Sequence, residues 1–143
     1  EDDWKTFKRV EETEMVKSVS TAVSKKNLDQ VAEAITKLPK EQKFLRKIER
    51  LVADRKAMYY KKDSLDWAMG ELLAYGTLLQ EGFNVRMSGQ DVERGTFSHR
   101  HAIIKTESGE KEIILLNQID PNNQGHFRIY NSLLSEYTAS ELR

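Results

Sequence analysis

Apolar residues recur at helical spacing three times in the first 80 positions. Leu28, Val31, Ala32, Ile35 and Leu38 make one stripe, with Ser24 placed to cap it and Pro39 placed to stop it. A second stripe, Phe44, Ile48, Leu51, Val52, Arg55 and Met58 or Tyr59, predicts a helix from about Lys40 to Tyr60. Its basic residues (Arg46, Lys47, Arg50, Arg55, Lys56) alternate with Glu41, Glu49 and Asp54, which reads as a solvated, ion-paired face rather than a nucleic-acid surface. The third helix, Leu65 to Glu81 after a cap at Asp63 or Ser64, has apolar residues almost all round and predicts burial. Gly82 is its expected left-handed stop.

Beyond Gly82 the period changes to two. Phe83–Met87 alternates as a strand, Ile103 and Ile104 are strand-like, and residues 107–110 (Glu-Ser-Gly-Glu) form a turn. Ile113–Leu116 predicts a short extended run, residues 120–125 a loop, and Phe127–Tyr130 a further strand. A final helix is expected to start near Ser132–Ser135. Helix, tight turn and strand in succession predict an α/β fold, in which sites gather at the carboxyl ends of strands. Residues 1–23, with Trp4, Phe7 and Val10 at helical spacing, read as an arm packing on another part of a longer protein or, equally, as a partly ordered terminus.

Composition sharpens this picture at a few points. Of 143 residues, 38% are hydrophobic and 32% charged, so a modest core with much polar surface is expected. The formal net charge is zero, which favours neither nucleic acid nor an anionic membrane, and no apolar run reaches the roughly 20 residues of a membrane span. The acidic start, Glu1-Asp2-Asp3, is unlike a secretory signal. Without cysteine there is neither a disulfide nor a thiolate metal site, consistent with a reducing compartment. The chain lacks an initiator Met, and its last periodic segment runs to Arg143 without a stop signal, so a piece of a longer protein is expected.

Candidate chemistry concentrates in residues 87–102, Met-Ser-Gly-Gln-Asp-Val-Glu-Arg-Gly-Thr-Phe-Ser-His-Arg-His-Ala, a polar stretch with no amphipathic period. His99 and His101, two apart, would share one face of a strand and, with His126 and an acid, could ligate a metal; a hydrogen-bonding or structural role is the preferred reading. No glycine-rich phosphate loop and no serine elbow is present. Glu136, past a strand and in a predicted first helical turn, has the placement of a carboxylate stabilised by the helix dipole.

Residues 87–102, together with 119–136 (Ile-Asp-Pro-Asn-Asn-Gln-Gly-His-Phe-Arg-Ile-Tyr-Asn-Ser-Leu-Leu-Ser-Glu), closely resemble the thiamine-diphosphate-dependent component of the 2-oxoglutarate dehydrogenase complex. Leu38-Pro39 and Asp66-Trp67 fit the same family, and the likeness is dense from about Leu38 onward. It is greater than that to the pyruvate and branched-chain enzymes, where Gly-Glu-Asp or Gly-Glu-Glu replaces Gly89-Gln90-Asp91. The resemblance implies that residues 63–143 begin the pyrimidine-binding domain, with a mostly parallel sheet covered by helices, and that 1–62 are an arm and helical linker. It implies thiamine diphosphate as cofactor, held with a Mg²⁺ whose site lies outside this segment. It also implies 2-oxoglutarate as substrate, a lipoyl-bearing succinyltransferase as partner, and a homodimer in bacterial cytoplasm, the preferred reading, or in the mitochondrial matrix of a eukaryote.

By the same resemblance, Glu136 matches the glutamate that hydrogen-bonds the pyrimidine N1′ and should have a raised pKa. Leu134 matches an apolar residue against that ring, and Gln90 a strand-end side chain that meets the cofactor. His99, Arg100 and His101 receive no catalytic step. Isolated from the rest of the enzyme, the segment is expected to be inactive. A related enzyme acting on another 2-oxo acid, or a non-catalytic helical interaction module, are the alternatives.

Overall fold

The computed structural model describes residues 18, 20–62 and 64–132. The order is α1 (Lys25–Ile35), α2 (Arg46–Ala57), α3 (Trp67–Gln80), β1 (Val85–Gly89), β2 (Ile103–Lys105), β3 (Glu112–Ile114), a 3-10 turn (Leu115–Gln118) and β4 (Phe127–Asn131). As the sequence implied, this is an α/β arrangement. Strands β1 and β4 pair in parallel, Val85 opposite Phe127 through Gly89 opposite Asn131, while β2 and β3 form an antiparallel hairpin between them in the chain. The predicted arm's Trp4, Phe7 and Val10, and the expected final helix, lie outside the described residues.

Ser24 caps α1 as expected, its hydroxyl accepting from the Asn27 amide at 3.2 Å. The helix ends at Ile35, before Pro39 has any effect. Thr36 leaves helical geometry and donates its hydroxyl to the Ala32 carbonyl at 2.6 Å, offering the backbone a local alternative. Helix α2 is also shorter than its periodicity predicted. Phe44 is drawn out of the helix into an antiparallel bridge with Thr106 and is buried there, so tertiary burial overrides the local period. At its far end α2 passes into a single π turn, Met58–Lys62, from which the Tyr59 hydroxyl donates to Asp29 of α1 at 2.8 Å.

Helix α3 starts two residues later than expected, because Asp66 rather than Ser64 accepts from the Met69 amide at 2.7 Å, while the other expected cap, Asp63, lies outside the described residues. It stops at Gly82 (φ +87°) in a Schellman motif: Gly82 N–H donates to the Leu79 carbonyl and Phe83 N–H to that of Leu78. Phe83 is thus spent on the cap, and β1 begins two residues after the position its alternation suggested.

The core lies between α1, α3, the 3-10 turn and one face of β1–β4. Val31, Ile35, Met69, Leu72, Leu79, Leu116, Phe127 and Ile129 are buried there. Side chains of this size each contribute about 1.5–3 kcal/mol on full burial. The expectation that α3 is buried holds for Met69, Leu72, Leu73 and Leu79, but Trp67, at its first turn, is 96% exposed. No helix among the described residues is long and apolar enough to cross a membrane.

Candidate functional site

Because β1 and β4 run parallel, their carboxyl ends lie side by side. Gly89 faces Asn131, and the Ser132 amide donates to the Gly89 carbonyl at 2.9 Å. Gln90 follows directly on β1, exposed, with no hydrogen bond from its side chain among the described residues. Leu134 and Glu136, two and four residues past Ser132, lie outside the described residues.

The segment from Gln90 to Ala102 leaves the strand end as an ordered loop rather than a strand. Asp91, Ser98 and His101 have positive φ (51°, 53° and 40°), a conformation that costs L-residues energy and persists only where surroundings enforce it. The enforcing contacts come from four directions. Within the loop, Arg94 meets Asp91 at 2.7 Å and the Ser98 hydroxyl at 2.9 Å. Toward β4, the Glu93 amide donates to Asn131 Oδ1 (3.2 Å) while the Asn131 amide donates to Glu93 Oε1 (3.1 Å). Toward α3, Arg100 makes a two-pronged ion pair with Glu71, Nη2 to Oε2 at 3.1 Å, and also donates to the Val92 carbonyl at 2.7 Å. From α2, Arg55 Nη2 donates to the carbonyls of His99 (3.3 Å) and Arg100 (2.5 Å).

These contacts set the local electrostatics. Burial pushes the Arg55 guanidinium down to about 10, against the opposing field of Asp66, so it keeps its charge at neutral pH. Burial also lowers the His101 imidazole, and the cations Arg55, Lys47 and Arg94 add to that effect. The hydrogen bond from Arg94 holds the Asp91 carboxyl below its usual range, and the Glu71 partner raises Arg100. Beside the loop and the end of β4 is a cavity of about 340 Å³ lined by Leu45, Asp91, Glu93, Arg94, His101 and Asn131. A larger cavity of about 540 Å³, between α1 and the 118–123 segment, lies away from the strand ends and shares none of these residues.

The histidine reading changes. His99 and His101 sit in the loop before β2, so they do not share a strand face, and His126 lies at the opposite, amino end of β4. Among the described residues no group of three or more His, Asp or Glu is arranged to hold a metal ion. His99 lies against Gly95, where an added Cβ would fall 2.4 Å from the His99 ring, and the buried His99 Nδ1 has no partner among the described residues. Glu71, Arg55 and the Glu93–Asn131 exchange were not singled out for the site by sequence. Two signals existed: Glu71 is the one charged residue of α3, and Arg55 lies on the apolar stripe of α2.

Residues 63–141 match the transketolase pyrimidine-binding domain. The chain belongs to this family. Among relatives of the pyrimidine-binding domain chain, the mitochondrial 2-oxoglutarate dehydrogenase of Schizosaccharomyces pombe is 43% identical over 125 residues, 87% of this chain and 12% of the relative. The Caenorhabditis elegans protein of the same description is 42% identical over 123 residues, 85% of this chain and 12% of its own length. The 2-oxoglutarate dehydrogenase E1 component of Haemophilus influenzae is 42% identical over 106 residues, 74% of this chain and 11% of the relative. The chain therefore spans about an eighth of the relatives it matches.

Proposed function

We propose that the chain is part of a thiamine-diphosphate-dependent 2-oxoglutarate dehydrogenase, the component that decarboxylates 2-oxoglutarate and passes the succinyl group to a lipoyl-bearing partner. Residues 63–143 form the start of its pyrimidine-binding domain, and residues 1–62 the arm and helical linker. The observation that carries this reading is the parallel register of Gly89 with Asn131. It sets Gln90 beside the point where the chain continues toward Leu134 and Glu136, in a sequence 43% identical to a 2-oxoglutarate dehydrogenase.

The residues present fit the cofactor: Gln90, an exposed carboxamide with no partner among the described residues, stands at the carboxyl end of a parallel strand, where such folds bind ligands. When bound, thiamine diphosphate supplies the carbon nucleophile and the electron sink that loss of carbon dioxide from a 2-oxo acid requires. The chain's own residues bind and tune its pyrimidine. Glu136 would hold a proton at N1′, a role that asks for a carboxyl with a raised pKa. Leu134 would lie against the ring and Gln90 would meet its edge. The diphosphate and Mg²⁺ are held elsewhere in the full-length, homodimeric protein, in bacterial cytoplasm or the mitochondrial matrix.

Glu136→Gln in the full-length protein tests the assignment. Proton exchange at the thiazolium C2 should fall by about 10²-fold or more with the fold intact, in the range expected for a positioned acid–base group. Near wild-type exchange would remove Glu136 from the site. The isolated 143-residue chain should show no 2-oxoglutarate turnover.

A further inference from the structure

Resting on the reading of Gln90 as a cofactor-facing residue, we infer that Arg55, on the linker helix, is a positioning residue that holds the loop from Gln90 to Ala102 in place for cofactor binding. Arg55 is only 4% exposed, and no carboxylate lies within ion-pair distance of it among the described residues. Burying a cation without a carboxylate partner is costly, and an apolar residue of similar volume would serve the core better. What the guanidinium does instead is donate, from the single nitrogen Nη2, to two consecutive carbonyls, those of His99 and Arg100.

Those carbonyls sit where the loop turns back toward β2. The next residue, His101, is left-handed, and both the Arg100 and His101 amides return to the Arg94 carbonyl. Arg100 in turn spans from this turn to Glu71 on α3 and to the Val92 carbonyl, two residues after Gln90. Arg55 is thus the external anchor of a chain of contacts that runs from the linker, through 99–101, back to the strand end. Releasing the anchor frees two carbonyls and the left-handed turn together, and the Arg100 side chain loses its fixed origin.

The test uses the full-length protein with Arg55→Met and Arg55→Lys, and Arg50→Met on the exposed face of α2 as control. Lysine also presents several donors on one nitrogen, so it can serve both carbonyls, whereas methionine serves neither. Two quantities are read: hydrogen-exchange protection of residues 99–102 without cofactor, and the Kd for thiamine diphosphate from fluorescence quenching. Arg55→Met should lose protection at these residues and raise Kd about tenfold, while Arg55→Lys and Arg50→Met stay within about threefold of wild type.

Wild-type protection in Arg55→Met, or a loosened loop with unchanged Kd, overturns the inference. If Arg55→Met does not fold, Arg55→Gln takes its place in the same comparison with the same expected losses, because its amide nitrogen stops two bonds short of the Nη2 position and so serves neither carbonyl. Failure of the wild-type protein to bind thiamine diphosphate would instead defeat the proposed function, and loop protection would still decide whether Arg55 is the anchor.

Discussion

Two glycines of one helix should respond to the same substitution with opposite signs. Gly70 and Gly76 both lie in α3. Replacing an interior helical glycine by alanine reduces the conformational freedom lost on folding and is worth about 1 kcal/mol. At Gly70 an added Cβ meets nothing within 4 Å, so Gly70→Ala should deliver most of that gain. At Gly76 the same Cβ would stand 2.2 Å from Val31 Cγ1 and 2.8 Å from Cγ2. Carbon atoms rest at about 3.5–4.0 Å, so the overlap is ~1.5 Å. Val31 is fully buried and cannot swing clear, because a β-branched residue in a helix has essentially one χ1 rotamer. Helices α1 and α3 must part, and overpacking of this kind costs about 1–3 kcal/mol or more. An overlap this large puts the cost toward the upper end, about 2–3 kcal/mol, so Gly76→Ala should destabilise by about 1–2 kcal/mol net. Val31→Ala alone should cost about 2 kcal/mol through lost burial and cavity. With those methyl groups gone, adding Gly76→Ala to it should recover the propensity gain of about 1 kcal/mol, a coupling of about 2–3 kcal/mol. Urea denaturation followed by far-UV circular dichroism gives all four values. Stabilisation by Gly76→Ala equal to that by Gly70→Ala would refute the close approach of the two helices.

Asp66→Ala removes the cap of α3 and should cost about 1 kcal/mol in the same denaturation assay, whereas Ser64→Ala, outside the cap, should cost little. The Asp91 carboxyl, held below its usual value of 3.8 by the hydrogen bond from Arg94, contributes stability that is present above that value and fades as pH falls through the folded value. Arg94→Ala should move the Asp91 midpoint, followed by carboxyl NMR, back up toward 3.8. Tyr59, pushed up to about 12 by burial and then by its bond to Asp29, contributes in the opposite sense: fully below its unfolded value near 10, and lost as pH rises toward 12. Tyr59→Phe should remove a phenolate step near 12 from an ultraviolet titration.

Local signals located the elements well and their ends poorly. Ser24, Gly82 and the 120–125 loop act through contacts within a few residues, and each performs its expected job in the structure. Phe44 and Thr36 show why boundaries moved. Phe44 fits a helical stripe, yet its burial against Thr106, 62 positions away, is invisible to a periodic pattern. Asp66, Ser64 and Asp63 are equivalent as local caps, and only the packing of α3 selects among them. The family resemblance, by contrast, was legible in 87–102 and 119–136 as literal strings, and it agrees with the match over 63–141.

Of the candidate site, the position of Gln90 was legible and the wiring of its loop was not, while Leu134 and Glu136 lie outside the described residues. Gln90 could be placed at a strand end, but the loop after it was read through its histidines, which take no strand face. What organises that loop is a set of contacts 29 to 45 residues apart: Glu71 with Arg100, Glu93 with Asn131, Arg55 with the carbonyls of 99 and 100. No short-range pattern can pair them. The sequence nonetheless marks two of the participants by their inconsistency, since a lone acid in an apolar helix and an arginine on an apolar stripe must each find a partner once buried. Parallel pairing of β1 with β4 brings Asn131 to the loop, and Glu71 and Arg55 reach it from α3 and α2. A buried charge that breaks its local pattern is therefore the useful sequence clue to a positioned loop. It names the residue to test, and the fold supplies the partner.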